Sequence, residues 1–97
     1  MEINRAYYAM FYAVLALLIT IDKGSSKHRG VIALFDENFI KPNILPKELG
    51  RMLHRAFDMR QVGDYRDLLV FTREQAMKVF ESAVEFVKAI EEKIAQG

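Results

Sequence analysis

The first fifth of the chain is apolar almost without a break. From Ala6 to Ile21 only Thr20 stands outside the apolar set. A helix that is apolar all round is one buried on several sides, so a buried helix is expected over about Ile3–Ile21. The run of sixteen residues falls short of the about 20 that a bilayer-spanning helix needs. Its aromatics, Tyr7, Tyr8, Phe11 and Tyr12, crowd one end instead of forming a belt at each. No basic start and small-residue cleavage site marks a secretory leader. Asp22-Lys23-Gly24 stops the helix: Gly24 offers a left-handed turn, and Lys23 suits the negative end of the helix dipole.

Beyond that stop the apolar positions recur at helical spacing three more times. Ser25 or Ser26 can cap a second helix that carries Val31, Leu34, Phe35 and Phe39 inward and ends before Pro42. After the short linker 42–46, Pro46 opens a third helix, with Leu49, Met52, Leu53, Ala56, Phe57 and Met59 on its inner face. Gly63 is expected to end it, and Asp64-Tyr65-Arg66-Asp67 to form a polar turn before the apolar patch Leu68-Leu69-Val70-Phe71. Thr72 and Gln75 make a capping-box pair at the start of the last helix. Its inner stripe reads Ala76, Val79, Phe80, Ala83, Val84, Val87, Ile90 and Ile94, with Glu74, Lys78, Glu81, Glu85 and Lys88 outside. No segment alternates with period two. The expected fold is therefore all-α, a small up-and-down four-helix bundle in one domain spanning residues 1–97.

Composition sharpens this in three places. A hydrophobic share of 52% is generous for so short a chain and points to burial by a partner. The absence of cysteine removes disulfides and thiolate chemistry, and the expected setting is the reducing cytoplasm. A net charge of +1 gives no whole-molecule field for nucleic acid, so any such binding must come from a local patch.

Candidate chemistry is sparse. The two histidines, His28 in SSKHRG and His54 in GRMLHRAF, lie in no metal-ligand spacing, and no metal or cofactor is expected. No nucleophile elbow or phosphate-cradling glycine loop occurs. The arginines are more telling. Arg51 and Arg55 are neighbours on one helical face, Arg60 and Arg66 flank the turn that follows, and Lys23, Lys27 and Arg29 lie near the second helix. A guanidinium forks onto phosphate and stays charged at any working pH. Arg51, Arg55, Arg60, Tyr65, Lys27 and Arg29 are thus candidate ligand-binding residues. Surface solubility is the plainer explanation of the same charges. For Arg60 and Tyr65 a salt bridge from Asp64 that merely locks the turn is an equal alternative.

The blocks NRAYYAMFYAVLALL, SKHRGVIALFDENFI and LPKELGRMLHRAFDMRQVGDY, in that order and spacing, resemble the HEPN domain, a helical family often encoded beside minimal nucleotidyltransferases. The similarity covers about residues 4–66, and its subgroup combines the RAYYA block with a late R-x4-Y. Family members usually carry another helix ahead of RAYYA, whereas Met1 stands four residues before Arg5. Either the family's first helix is absent or the chain is a shortened form, and the side of helix one that such a helix would cover is expected to meet a second copy of the chain. The resemblance also implies a homodimer with its groove at the interface, a nucleotidyltransferase partner, a nucleotide or RNA ligand, and a toxin–antitoxin setting in prokaryotes.

RNase-active members of the family share an R-x(4–6)-H motif and need no metal. Here Arg60 has Tyr65 at the position where a four-residue gap would place histidine. Tyrosine, with a pKa of about 10, is a poor base at neutral pH. Arg60, Tyr65, His54 and His28 remain the catalytic candidates, the histidines entering from other positions or from another chain. Three readings follow: a phosphate-binding HEPN module, a metal-independent endoribonuclease, and a structural helical adaptor. The missing histidine favours the first over the second.

Overall fold

A computed structural model describes residues 2–65 and 72–96. Among them are four α-helices and no strand: α1 (Glu2–Ile19), α2 (His28–Phe35), α3 (Lys47–Tyr65) and α4 (Arg73–Gln96). The all-α, four-helix expectation holds. No described helix is long and apolar enough to cross a membrane.

The helix ends show where local chemistry departs from the simplest reading. α1 closes with the Lys23 N–H on the Leu18 carbonyl and the Asp22 N–H on that of Ile19, both at 3.0 Å. That is a Schellman stop, and its left-handed residue is Asp22, at φ 58°, rather than Gly24. Aspartate tolerates this conformation better than most side chains. Neither serine caps α2. Its N-cap is Lys27, without a side-chain cap, while Ser25 Oγ accepts the Lys27 N–H at 3.2 Å. Ser25 lies over the first turn of α2, where a Cβ on Gly30 would fall 2.9 Å from the serine Cβ. Only glycine fits there.

α2 runs on into a π-helical turn, Asp36–Ile40, in which the Lys41 N–H reaches the Asp36 carbonyl five residues back. Asn43, at φ 62°, and Pro46 then redirect the chain into α3. α3 continues through Gly63 to Tyr65, two residues beyond its expected end. The side chains of Asp64 and Tyr65, and with them the expected Asp64 salt bridge, lie outside the described residues, as do Arg66, Asp67 and the apolar patch 68–71. At α4 the capping box forms in both directions: Thr72 N–H to Gln75 Oε1 at 2.9 Å, and Gln75 N–H to Thr72 Oγ1 at 3.1 Å.

α3 runs antiparallel to its three neighbours. Arg60 meets Asn4 and Tyr8 of α1, Asp36 meets His54, and the residues around Leu45 and Leu49 lie beside the C-terminal half of α4. The loop 20–27 carries the chain back to the level of Phe11 before α2 begins, since His28 stacks on that ring. Direction therefore alternates from α2 to α4 but not between α1 and α2.

The core is one cluster drawn from all four helices. Tyr7, Met10, Val14, Leu17 and Leu18 of α1 meet Val31 and Phe35 of α2, Leu53 of α3, and Phe86 and Ile90 of α4, all at 2% exposure or less. Each such side chain contributes about 1.5–3 kcal/mol through burial. On α4 the inward stripe is Val79, Ala83, Phe86 and Ile90. Phe80 and Val84, expected inside, are 52% and 56% exposed instead. They lie about 100° round the helix from Val79 and Ala83, on its outward flank.

Candidate anion-binding site

The N-terminal half of α1 presents Asn4, Tyr7, Tyr8 and Phe11 at steps of three and four, so all four share one face. Arg60, near the C-terminal end of the antiparallel α3, comes down on that face. Its Nη2 donates to the Tyr8 hydroxyl at 2.9 Å and its Nε to Asn4 Oδ1 at 3.2 Å. The guanidinium carbon sits 5.1 Å from the centre of the Tyr8 ring and 5.3 Å from that of Tyr7, within cation–π reach of both.

His28 opens α2 on the same face. Its ring stacks on Phe11, with centroids 4.1 Å apart and planes 10° apart, and its Nδ1 is 2.8 Å from the Tyr7 hydroxyl. Arg29, the next residue, places its guanidinium 5.6 Å from the centre of the Phe57 ring, itself 5.8 Å from Tyr7. Three helices thus bring Arg60, His28 and Arg29 around one buried tyrosine.

The protonation states follow from this geometry. Burial, and then the positive charge of Arg60, lower the His28 pKa below the ordinary imidazole value. Burial pushes the Tyr7 phenol up to about 12, against the opposing pull of Arg60. The phenol is therefore protonated at any physiological pH, and since His28 Nδ1 is the acceptor beside it, we assign the phenol proton to that nitrogen. That assignment leaves the imidazole proton on Nε2. The site thus sets the permanent positive charge of Arg60 beside a neutral imidazole at His28.

The remaining candidates are placed elsewhere. Arg51 is nine residues from Arg60, about half a helical turn away, and faces a different groove together with Arg55 and Lys78 of α4. Its Nη1 donates to Glu48 at 3.4 Å. The three arginines of α3 accordingly form two sites instead of the single patch their spacing suggested. His54 Nε2 is 2.6 Å from Asp36 Oδ2, tying α3 to the π-helical turn. Lys27 is exposed beside His28 as the N-cap of α2. Among the described residues no group of three His, Cys, Asp or Glu could hold a metal ion. Sequence reasoning missed Asn4, Tyr7 and Tyr8. The signal was there: a polar residue followed by two tyrosines at i, i+3 and i+4 on one face of a largely apolar helix.

Residues 2–93 match the HEPN domain. The chain belongs to the HEPN family. Among its relatives, a UPF0332 protein of Thermotoga maritima is 42% identical over 95% of this chain and 70% of its own length. A "putative toxin" of Methanocaldococcus jannaschii is 40% identical over 76% of this chain and half of its own length. A second protein of that name from the same organism is 31% identical over 97% of this chain and 69% of its own. No solved structure matches the chain.

Proposed function

We propose that this HEPN chain binds the phosphate of a nucleotide or RNA at the Arg60–His28 site. We propose further that it works with a nucleotidyltransferase partner in a toxin–antitoxin pair. The observation that carries the first part is the junction of Arg60 and His28 on Tyr7 and Tyr8. A permanently charged fork and a neutral N–H donor meet there on rigid helices, and Arg29 adds a second guanidinium nearby. Two relatives bearing the name toxin support the setting.

Endoribonuclease activity is the second reading, favoured by the approach of a histidine to Arg60 from another helix. A general base for a ribose hydroxyl must present a lone pair, and with the Tyr7 hydroxyl assigned as donor to Nδ1 the lone pair of His28 faces inward and its proton outward. Binding without cleavage is the better account. A second copy of the chain fits the outer faces of α1 and α4. There Tyr12 and Ile19, 62% and 69% exposed, and Met77, Phe80 and Val84 leave large apolar groups in water.

The test is a titration of a short single-stranded RNA and of ATP at low and physiological salt, with chelator present. Binding that weakens with salt, and RNA that stays intact, support the proposal. RNA cleavage lost in His28→Gln establishes the nuclease reading, and no binding of either ligand leaves a structural adaptor.

A further inference from the structure

The groove between α3 and α4 is built differently from the Arg60 site. One stretch of it, about 420 Å³, has a floor that includes Met10, Met52 and Met59 and a rim that carries Arg51, Arg55 and Lys78. The adjoining stretch, about 400 Å³, shares Met52 and Glu48 with the first and is edged by Glu85 and Glu92, with Lys93 beside them. Along α4 the lining runs from Gln75 to Gln96, about 30 Å at 1.5 Å per residue. The groove is therefore a long apolar trough, basic at one end and acidic at the other.

We infer that this trough receives one amphipathic α-helix from a protein partner, in a fixed direction. Three observations select that occupant. A floor of thioethers and aliphatic groups suits the side chains of an apolar helical face, and methionine repacks readily around them. Among the described residues the lining offers no aromatic ring on which a nucleobase could stack, and an RNA strand laid along it would run into Glu48, Glu85 and Glu92. The charge gradient matches the usual bias of a helix, acidic in its first turn and basic in its last. The first turn of the occupant lies at Arg51, Arg55 and Lys78, and its last at Glu85 and Glu92. It runs parallel to α4 and antiparallel to α3.

Two stapled helical peptides of about 18 residues test this, that length spanning the groove. They share one composition and one leucine stripe, but one has glutamates first and lysines last and the other the reverse. Anisotropy titration with the full chain should show the glutamate-first peptide binding about tenfold more tightly, as a few partly exposed ion pairs allow. Arg51→Glu with Lys78→Glu, both on exposed residues, should abolish or invert that preference, and Met52→Glu should weaken both peptides. Arg60→Ala should change neither, which separates this result from the phosphate site. Equal affinity for the two peptides, no binding of either, or displacement of the peptide by single-stranded RNA would overturn the inference.

Discussion

Tyr7→Phe removes one oxygen from a fully buried side chain and leaves the ring in place, so no cavity larger than that atom opens. What is lost is the 2.8 Å hydrogen bond to His28 Nδ1. A hydrogen bond of this kind contributes about 0.5–1.5 kcal/mol net. For a domain of this size, 1 kcal/mol lowers Tm by about 4–8 °C. The substitution also acts on His28. In the wild type a protonated His28 forces the Tyr7 hydroxyl to accept and strands its buried proton, so the neutral form is favoured. With phenylalanine that preference is gone, and the His28 pKa moves up.

Proton linkage gives the pH dependence. The folded His28 pKa is lowered, so below the unfolded value of about 6.5 the unfolded chain takes up the proton first and stability falls as pH drops. The Tyr7 pKa is raised to about 12, so stability falls again as pH rises from the unfolded value of about 10. Tyr7→Phe removes Tyr7's share of the alkaline loss and softens the acid one. Thermal melts between pH 5 and pH 11, with nitrogen-15 spectra of the His28 ring, read both effects. A wild-type His28 carrying its neutral proton on Nδ1, or an acid limb unchanged by Tyr7→Phe, would refute the reasoning.

Gly30→Ala drives a methyl into Ser25 and should cost about 1–3 kcal/mol by denaturant melt. Pairing it with Ser25→Gly should restore most of the loss, and a double mutant no more stable than Gly30→Ala alone would count against the steric account. The proposed pairing of two copies predicts that the wild-type chain sediments as a dimer and that Phe80→Lys with Ile19→Lys, both on exposed positions, sediments as a folded monomer. A wild-type chain of monomer mass, or a mass unchanged by the two lysines, would count against pairing through these faces.

Much of the fold was legible from residue pattern alone, for reasons visible in particular residues. Thr72 and Gln75 are a local signal read within one turn, and they form the expected pair. The inner face of α3 was readable because Leu49, Leu53, Ala56 and Phe57 keep a single stripe. On α4 apolar residues occupy more than one face, and periodicity alone could not tell that Phe86 is inside and Phe80 outside. The stop of α1 went to Asp22 because the hydrogen bonds to Leu18 and Ile19 fix the left-handed residue, and proximity to a glycine does not.

The site was legible only in pieces. Arg60 and His28 were both candidates, but they lie 32 positions apart in sequence, and their meeting depends on the loop that carries α2 back beside Phe11. Arg51 and Arg60 looked like one patch in a count of charges. The 3.6-residue turn sends them to different sides of α3. Tyr7 and Tyr8 read as part of a buried helix, and Tyr7 is core while Tyr8 packs half-buried against it, yet their hydroxyls hold the two polar groups of the site.

The most direct test of the central claim is the affinity of a labelled single-stranded RNA and of ATP for wild-type protein and for Arg60→Ala, measured at low salt beside a thermal melt of each. The account predicts a variant that still folds, somewhat destabilised by loss of its bonds to Tyr8 and Asn4. Its binding should be about ten- to a hundredfold weaker, the loss typical of one charged hydrogen-bonding group. A folded Arg60→Ala protein that binds both ligands as tightly as the wild type would contradict it.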